Sequence, residues 1–128
     1  MTEPRSDQLS NSIVGIAAFS TQTLSDVSFT PDTGEVLVSW DAFITETKSG
    51  DPRVNFAVQR VQSGNNATLQ SFNNVVVAVA QTYSGSLLDT GANTSSAATY
   101  KLLFDHTDTT SGNINCEDAN ITATELKR

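Results

Sequence analysis

Two Asp-Thr-Gly tripeptides, Asp32-Thr33-Gly34 and Asp89-Thr90-Gly91, come nearest to a chemistry in this 128-residue chain. Two aspartates brought face to face share one proton, because like charges about 3 Å apart cannot both ionise cheaply. One carboxylate can then activate water while the other protonates the departing group, which is a route to peptide hydrolysis. A weaker set, Asp105-His106-Thr107-Asp108, offers one imidazole and two carboxylates, donors that a divalent metal accepts.

Neither set carries the rest of its pattern. Leu87-Leu88-Asp89-Thr90-Gly91 resembles the active-site loop of retroviral-type aspartic proteases, where an apolar pair precedes Asp-Thr-Gly. A single chain bearing both loops needs two lobes, and this length makes one domain. A dimeric enzyme needs a Gly-rich flap and an apolar-Gly-Arg motif further on, yet Gly112 is the sole glycine after Gly91. Pro31 and Glu35 replace the apolar flanks expected around Asp32. Asp-Thr-Gly is then an ordinary turn, in which Asp bonds nearby backbone and Gly supplies a left-handed angle. His106 is the only histidine and Cys116 the only cysteine, so a thiol–imidazole metal site and an intrachain disulfide are both excluded. Cys116 is expected to be a buried, inert thiol. No nucleophile elbow and no phosphate-cradling loop occurs. The expectation is a protein that is not an enzyme and takes no cofactor and no metal.

Charge narrows the partners. Fourteen acidic residues oppose seven basic ones, a net charge of −7. Arg5, Lys48, Arg53, Arg60, Lys101, Lys127 and Arg128 are scattered and form no stripe that could displace counterions from phosphates. Nucleic acid and anionic membrane surfaces are therefore not expected partners. Met1–Ser12 lacks the apolar stretch of a secretion signal, and the longest apolar run, Val75–Ala80, is too short to cross a bilayer. Three glycosylation sequons, at Asn66, Asn93 and Asn120, are about what this Asn-, Ser- and Thr-rich composition gives by chance.

The elements that would position any site are strands. Short stretches alternate apolar and polar residues and end in Gly, Asn or Asp turns. Residues 13–20 and 24–29 read as the first strands, and Pro31-Asp32-Thr33-Gly34 as a turn. Residues 35–46 are the clearest strand, with Val36, Val38, Trp40, Ala42 and Ile44 on one face and Leu37 and Phe43 on the other. Residues 48–52 turn the chain into a strand over 53–62, where Val61 falls out of phase and points to a bulge near Arg60. A hairpin turn over 63–66 leads to strands at 67–72 and 75–80. Val75-Val76-Val77-Ala78-Val79-Ala80 is apolar on both faces, so it is central or lies at a subunit contact. Residues 86–97 read as loop, 98–106 as a strand, 107–113 as a turn, and 114–117 and 120–128 as the closing strands. Eight or nine short strands predict an all-β, single-domain antiparallel jelly-roll β-sandwich over 13–128, preceded by a short extended N-terminal arm over 1–12.

Four segments carry a family likeness: Gly34–Ile44 (GEVLVSWDAFI), Val54–Val61 (VNFAVQRV), Ala98–His106 (ATYKLLFDH) and Ile121–Arg128 (ITATELKR). The chain resembles the small jelly-roll domains of bacteriophage virion proteins, similar in architecture to the trimeric sandwiches of tumour necrosis factor and complement. It departs from them in the Ser/Thr-rich segment 89–97. The resemblance implies a homotrimer, with Phe43, Val76 and Val77 as candidate subunit-interface residues. It also implies a capsid decoration or cement protein on the virion surface, made in the host cytoplasm, whose partners are itself and the major capsid protein. A start at Met1 followed by only a short polar arm suits that role better than a tail fibre, which needs an attachment module. The alternative is a receptor- or glycan-binding module of a fibre or spike. There Trp40 or Phe43 could stack on sugars, although Trp40 shares the apolar face of its strand and is expected in the core.

Overall fold

The computed structural model describes residues 2–8, 13–50 and 52–126. Parts of three expected features lie outside the described residues: 1 and 9–12 of the arm, Asp51 of the turn at 48–52, and 127–128 of the last strand. Eight strands are described: β1 (Thr2–Gln8), β2 (Gln22–Phe29), β3 (Val36–Glu46), β4 (Arg53–Gln62), β5 (Asn65–Val76), β6 (Ala80–Asp89), β7 (Ala98–His106) and β8 (Ile114–Leu126). They form two antiparallel four-stranded sheets, β1-β8-β3-β6 and β2-β7-β4-β5. Early and late strands interleave in both sheets, which is the jelly-roll order. The all-β sandwich expected from the rhythm is the fold observed. Among the described residues no helix is long and apolar enough to cross a membrane.

The core follows from alternation. In β3 and β7 every second residue is buried, and the inward set includes Val36, Val38, Trp40, Ala42, Ile44, Tyr100, Leu102 and Phe104. Phe56 stacks on Trp40 at 5.3 Å and meets Phe104 edge-on at 5.3 Å, so one aromatic column joins the two sheets.

Several elements differ from the expected ones. Residues 13–20 are a loop rather than a strand: Ile13 exchanges backbone bonds with Cys116, and Gly15 at φ +68° turns the chain away. The two expected closing strands are one. A register shift opposite Phe43/Ile44 inserts Glu117, and the buried phase moves from Ile114 and Cys116 to Ala119, Ile121, Ala123 and Glu125. The β4/β5 pair shifts between Val58 and Gln59, near Arg60, but the extra residue sits on β5. Leu87-Leu88-Asp89 belongs to β6 and is not loop. Val75–Ala80 is not a strand of its own, because it ends β5, crosses between sheets and begins β6. Thr2–Gln8, read as an arm, runs as β1 and pairs with β8 of the same chain from Thr2↔Leu126 to Gln8↔Asn120.

Candidate assembly surface

β5 and β6 close the same side of the sandwich, one at the edge of each sheet. Neither is well covered. No residue of β5 is buried, and on β6 only Asp89 is. The strand edges part enough to leave a shallow hollow over the aromatic column, whose rings stay buried, Trp40 at 4% and Phe56 at 2% exposure. Phe72 and Val75 of β5, Tyr83 and Ser84 of β6, and Trp40 and Phe56 behind them line a mostly apolar pocket of about 140 Å3. Phe72 is 39% exposed with its ring 6.1 Å from Trp40, and Tyr83 leans on Phe56 at 5.1 Å.

Local geometry holds these walls. Asn74 takes φ +58° and its amide donates to Oδ1 of Asn55 at 3.0 Å, which fixes a bulge between Phe72 and Val75. Tyr83 donates its hydroxyl to the Val76 carbonyl at 2.8 Å, tying β6 back to β5. Burial raises the Tyr83 phenol above its ordinary value near 10.0, which extends its role as a donor further into alkaline pH. Gly85 is required because a Cβ there would stand 2.7 Å from Nε1 of Trp40. Trp40 in turn donates to Oε1 of Gln70 at 3.3 Å.

The three candidate interface residues separate. Val76 is 40% exposed and Phe43 half-buried on the outer face of its sheet, so both retain surface. Val77 is 1% exposed and its amide donates to the Pro52 carbonyl. Its side chain packs inside its own protomer and offers nothing to a neighbour, a placement that a run apolar on both faces cannot reveal. Val79, which the sequence did not single out, is 73% exposed at the crossover to β6. Phe43 pairs across to Thr82, three residues beyond Val79, and to Asp118 on its other side. Asp41 lies on the same face, and its carboxyl is raised by burial and by the nearby Asp118. A partner covering Phe43 therefore meets an acidic surround. At the other end of β3, Leu37 and Leu88 form a cross-strand pair, 40% and 50% exposed.

The residues that suggested hydrolysis do structural work. The two Asp-Thr-Gly turns touch: a Cβ on Gly34 would lie 3.4 Å from the Ala92 carbonyl. Their aspartates do not form a dyad. Oδ1 of Asp89 accepts from Nη1 of Arg60 at 2.5 Å and from the Gly91 amide at 3.0 Å, while Oδ2 accepts from Tyr100. The amides of Asp32 and Thr33 donate to the buried Glu125 carboxylate. His106 is 1% exposed, with Nε2 2.6 Å from the Ile16 carbonyl and Nδ1 accepting from the Asp108 amide at 3.2 Å. Hydrogen bonds from Thr110 lower the Asp108 carboxyl. Among the described residues no three His, Cys, Asp or Glu side chains are grouped to hold a metal. A hollow of about 250 Å3 on the outer face of the β2-β7-β4-β5 sheet has a mixed lining, with Asn55, Gln59, Asn73 and Asp105 beside Ala57 and Leu103.

With the geometry in hand, the comparison with known proteins concerns fold. No family model and no curated protein matches this sequence. Solved structures do. The VP2 protein of infectious bursal disease virus, in its subviral particle, superposes with a TM-score of 0.68 at 9% identity, covering 97% of this chain and 32% of that one. T=1 particles derived from the same virus give 0.67 at 10% identity, covering 97% and 31%. Dimeric latent PorU from Porphyromonas gingivalis gives 0.53 at 10%, covering 97% and 13%. This sandwich is similar to part of a viral capsid protein. The chain spans about a third of the length of the capsid chains it matches. At such low identity the likeness is one of fold alone.

Proposed function

We propose that this protein is a virion structural component: a jelly-roll sandwich that assembles as a homotrimer and decorates a phage capsid by binding major capsid subunits. The observation that carries the reading is the incompletely covered β5–β6 side, where Phe72, Val76 and Val79 face water beside an open aromatic pocket. Soluble monomers seldom keep large contiguous apolar patches, and such patches commonly mark assembly surfaces. The fold shared with a capsid protein supports the setting. The mechanism is binding by many modest contacts, multiplied by the valency of the trimer. Sedimentation equilibrium of the purified protein tests self-association, and addition to undecorated capsid shells tests decoration. A species that stays monomeric at high concentration and leaves shells unbound would refute the reading.

A second reading, a glycan-binding fibre module, draws on the hollow lined by Asn55, Gln59, Asn73 and Asp105, whose amides and carboxylate suit sugar hydroxyls. Trp40 cannot serve as its stacking platform, being 4% exposed in the core. Saturable binding of host glycans, lost in Gln59→Ala, would put this reading ahead of decoration.

A further inference from the structure

One aromatic residue stands apart from every contact described above. Phe19 is 75% exposed, the most exposed of the large hydrophobic side chains among the described residues. It also sits at φ +60°, a left-handed angle that bulky residues rarely adopt. Its amide donates to the His106 carbonyl at 2.8 Å, so the strained residue is anchored to the end of β7 and held outward. Strain of this kind persists where surrounding structure enforces it, and it is concentrated at functional positions.

Phe19 and the aromatic pocket lie on opposite sides of the sandwich. Phe19 precedes β2, an edge strand, whereas the pocket opens between β5 and β6 at the far edges. One chain cannot place its own Phe19 in its own pocket. Their heights along the strands agree, however. Phe19 is tied to His106, and Phe56 in the pocket floor pairs with Phe104, two residues away on the same strand. A knob and a hole on opposite flanks at one level make a head-to-tail contact, which closes into a ring where the rotation between copies allows it and otherwise runs on as a filament. Size fits as well. The pocket measures about 140 Å3, and an apolar protein cavity of about 150 Å3 accommodates benzene.

The geometry points to Phe19 of one protomer inserting between β5 and β6 of the next, against Trp40, Phe56, Phe72 and Tyr83. This inference rests on the self-assembly reading above and supplies its contact. The occupant of the pocket is a second copy of this chain, and each protomer gives one phenyl ring and receives one. The contact has the form of a binding hot spot, a rigid aromatic in a largely apolar pocket.

The test is sedimentation equilibrium of the full chain, with circular dichroism as a check on folding. The wild-type protein is expected to self-associate. Phe19→Ala, a change at an exposed position that leaves the fold intact, should raise the subunit dissociation constant about thirtyfold or more. Val75→Phe fills the pocket from inside and should weaken assembly comparably, while Phe19→Leu should retain most of it. A wild-type oligomer that persists with the same midpoint in both Phe19→Ala and Val75→Phe overturns this contact and leaves self-assembly standing. A strictly monomeric wild type overturns both.

Discussion

Tyr100 donates its phenolic hydrogen to Oδ2 of Asp89 at 2.8 Å, and the two residues belong to different sheets. Arg60, from the same sheet as Tyr100, holds the other oxygen of Asp89. The end of β6, poorly covered along its length, is thus fastened across the sandwich by a buried polar triad. Removing the hydroxyl with Tyr100→Phe should lower unfolding free energy by about 1–3 kcal/mol, the range for a buried bond to a charged acceptor. Asp89→Ala leaves the Arg60 charge largely buried without its partner and should cost more, about 3 kcal/mol or above. Urea unfolding followed by circular dichroism measures both. Equal, negligible effects would mean the triad is not what closes this end.

Alkaline pH probes the same core. The Tyr100 phenol is pushed up by burial and then by its bond to Asp89, from an ordinary value near 10.0. The Cys116 thiol, fully buried, is pushed up by burial from 9.0 to about 11. Each group keeps its proton longer in the folded state than in the unfolded state. The thiol's contribution is therefore complete below pH 9 and lost as pH rises through about 11, while the phenol's begins to fall only above its ordinary value near 10.0 and goes on falling beyond the thiol's range. Stability should fall steadily from pH 9 upward, and Cys116→Ala combined with Tyr100→Phe should flatten that fall. Iodoacetamide at pH 8 should label Cys116 only at the rate of unfolding.

How far this architecture was legible depends on burial. β3, β4 and β7 lie between neighbours and face the core on one side, so Val36–Glu46, Arg53–Gln62 and Ala98–His106 alternate cleanly and their limits were readable. β5 and β6 are edges that bury almost nothing, so selection for alternation is weak there. Leu87-Leu88-Asp89 consequently passed for loop, and Val77 could not be told from Val76 or Val79. β8 looked like two strands because a bulge at Glu117 flips the phase midway. Pairing of the two Asp-Thr-Gly turns at one end was not foreseeable, since it is set by topology rather than by local sequence. Phe19 was hidden inside an apolar run whose left-handed turn shows only in the backbone.

The packing of Trp40 makes a sharp prediction at Gly85. A methyl group there would stand 2.7 Å from Nε1 and 3.0 Å from two ring carbons of Trp40. The ring is held between Phe56 and Gln70 and has little freedom to retreat. Gly85→Ala should therefore destabilise the fold by about 1–3 kcal/mol through overpacking. The displaced indole should also emit at longer wavelength. A variant of unchanged stability and unchanged emission would mean that β6 moves freely over Trp40.

Exposed and buried valines on the crossover separate folding from assembly. Val77 is enclosed, so Val77→Ala removes core volume and should cost about 2 kcal/mol, with a matching fall in thermal midpoint. Val79 is mostly in water, so Val79→Asp should leave the unfolding free energy of dilute protein unchanged to within about 0.5 kcal/mol. In an assembled oligomer the consequences reverse. Val79→Asp adds a charge to the β5–β6 side and should dissociate the oligomer, because a buried unpaired carboxylate opposes contact. Val77→Ala should leave association intact wherever the protomer remains folded. Light scattering across a dilution series distinguishes the two variants. An oligomer indifferent to Val79→Asp would place the subunit contact on another face, with the Leu37–Leu88 pair the next surface to mutate.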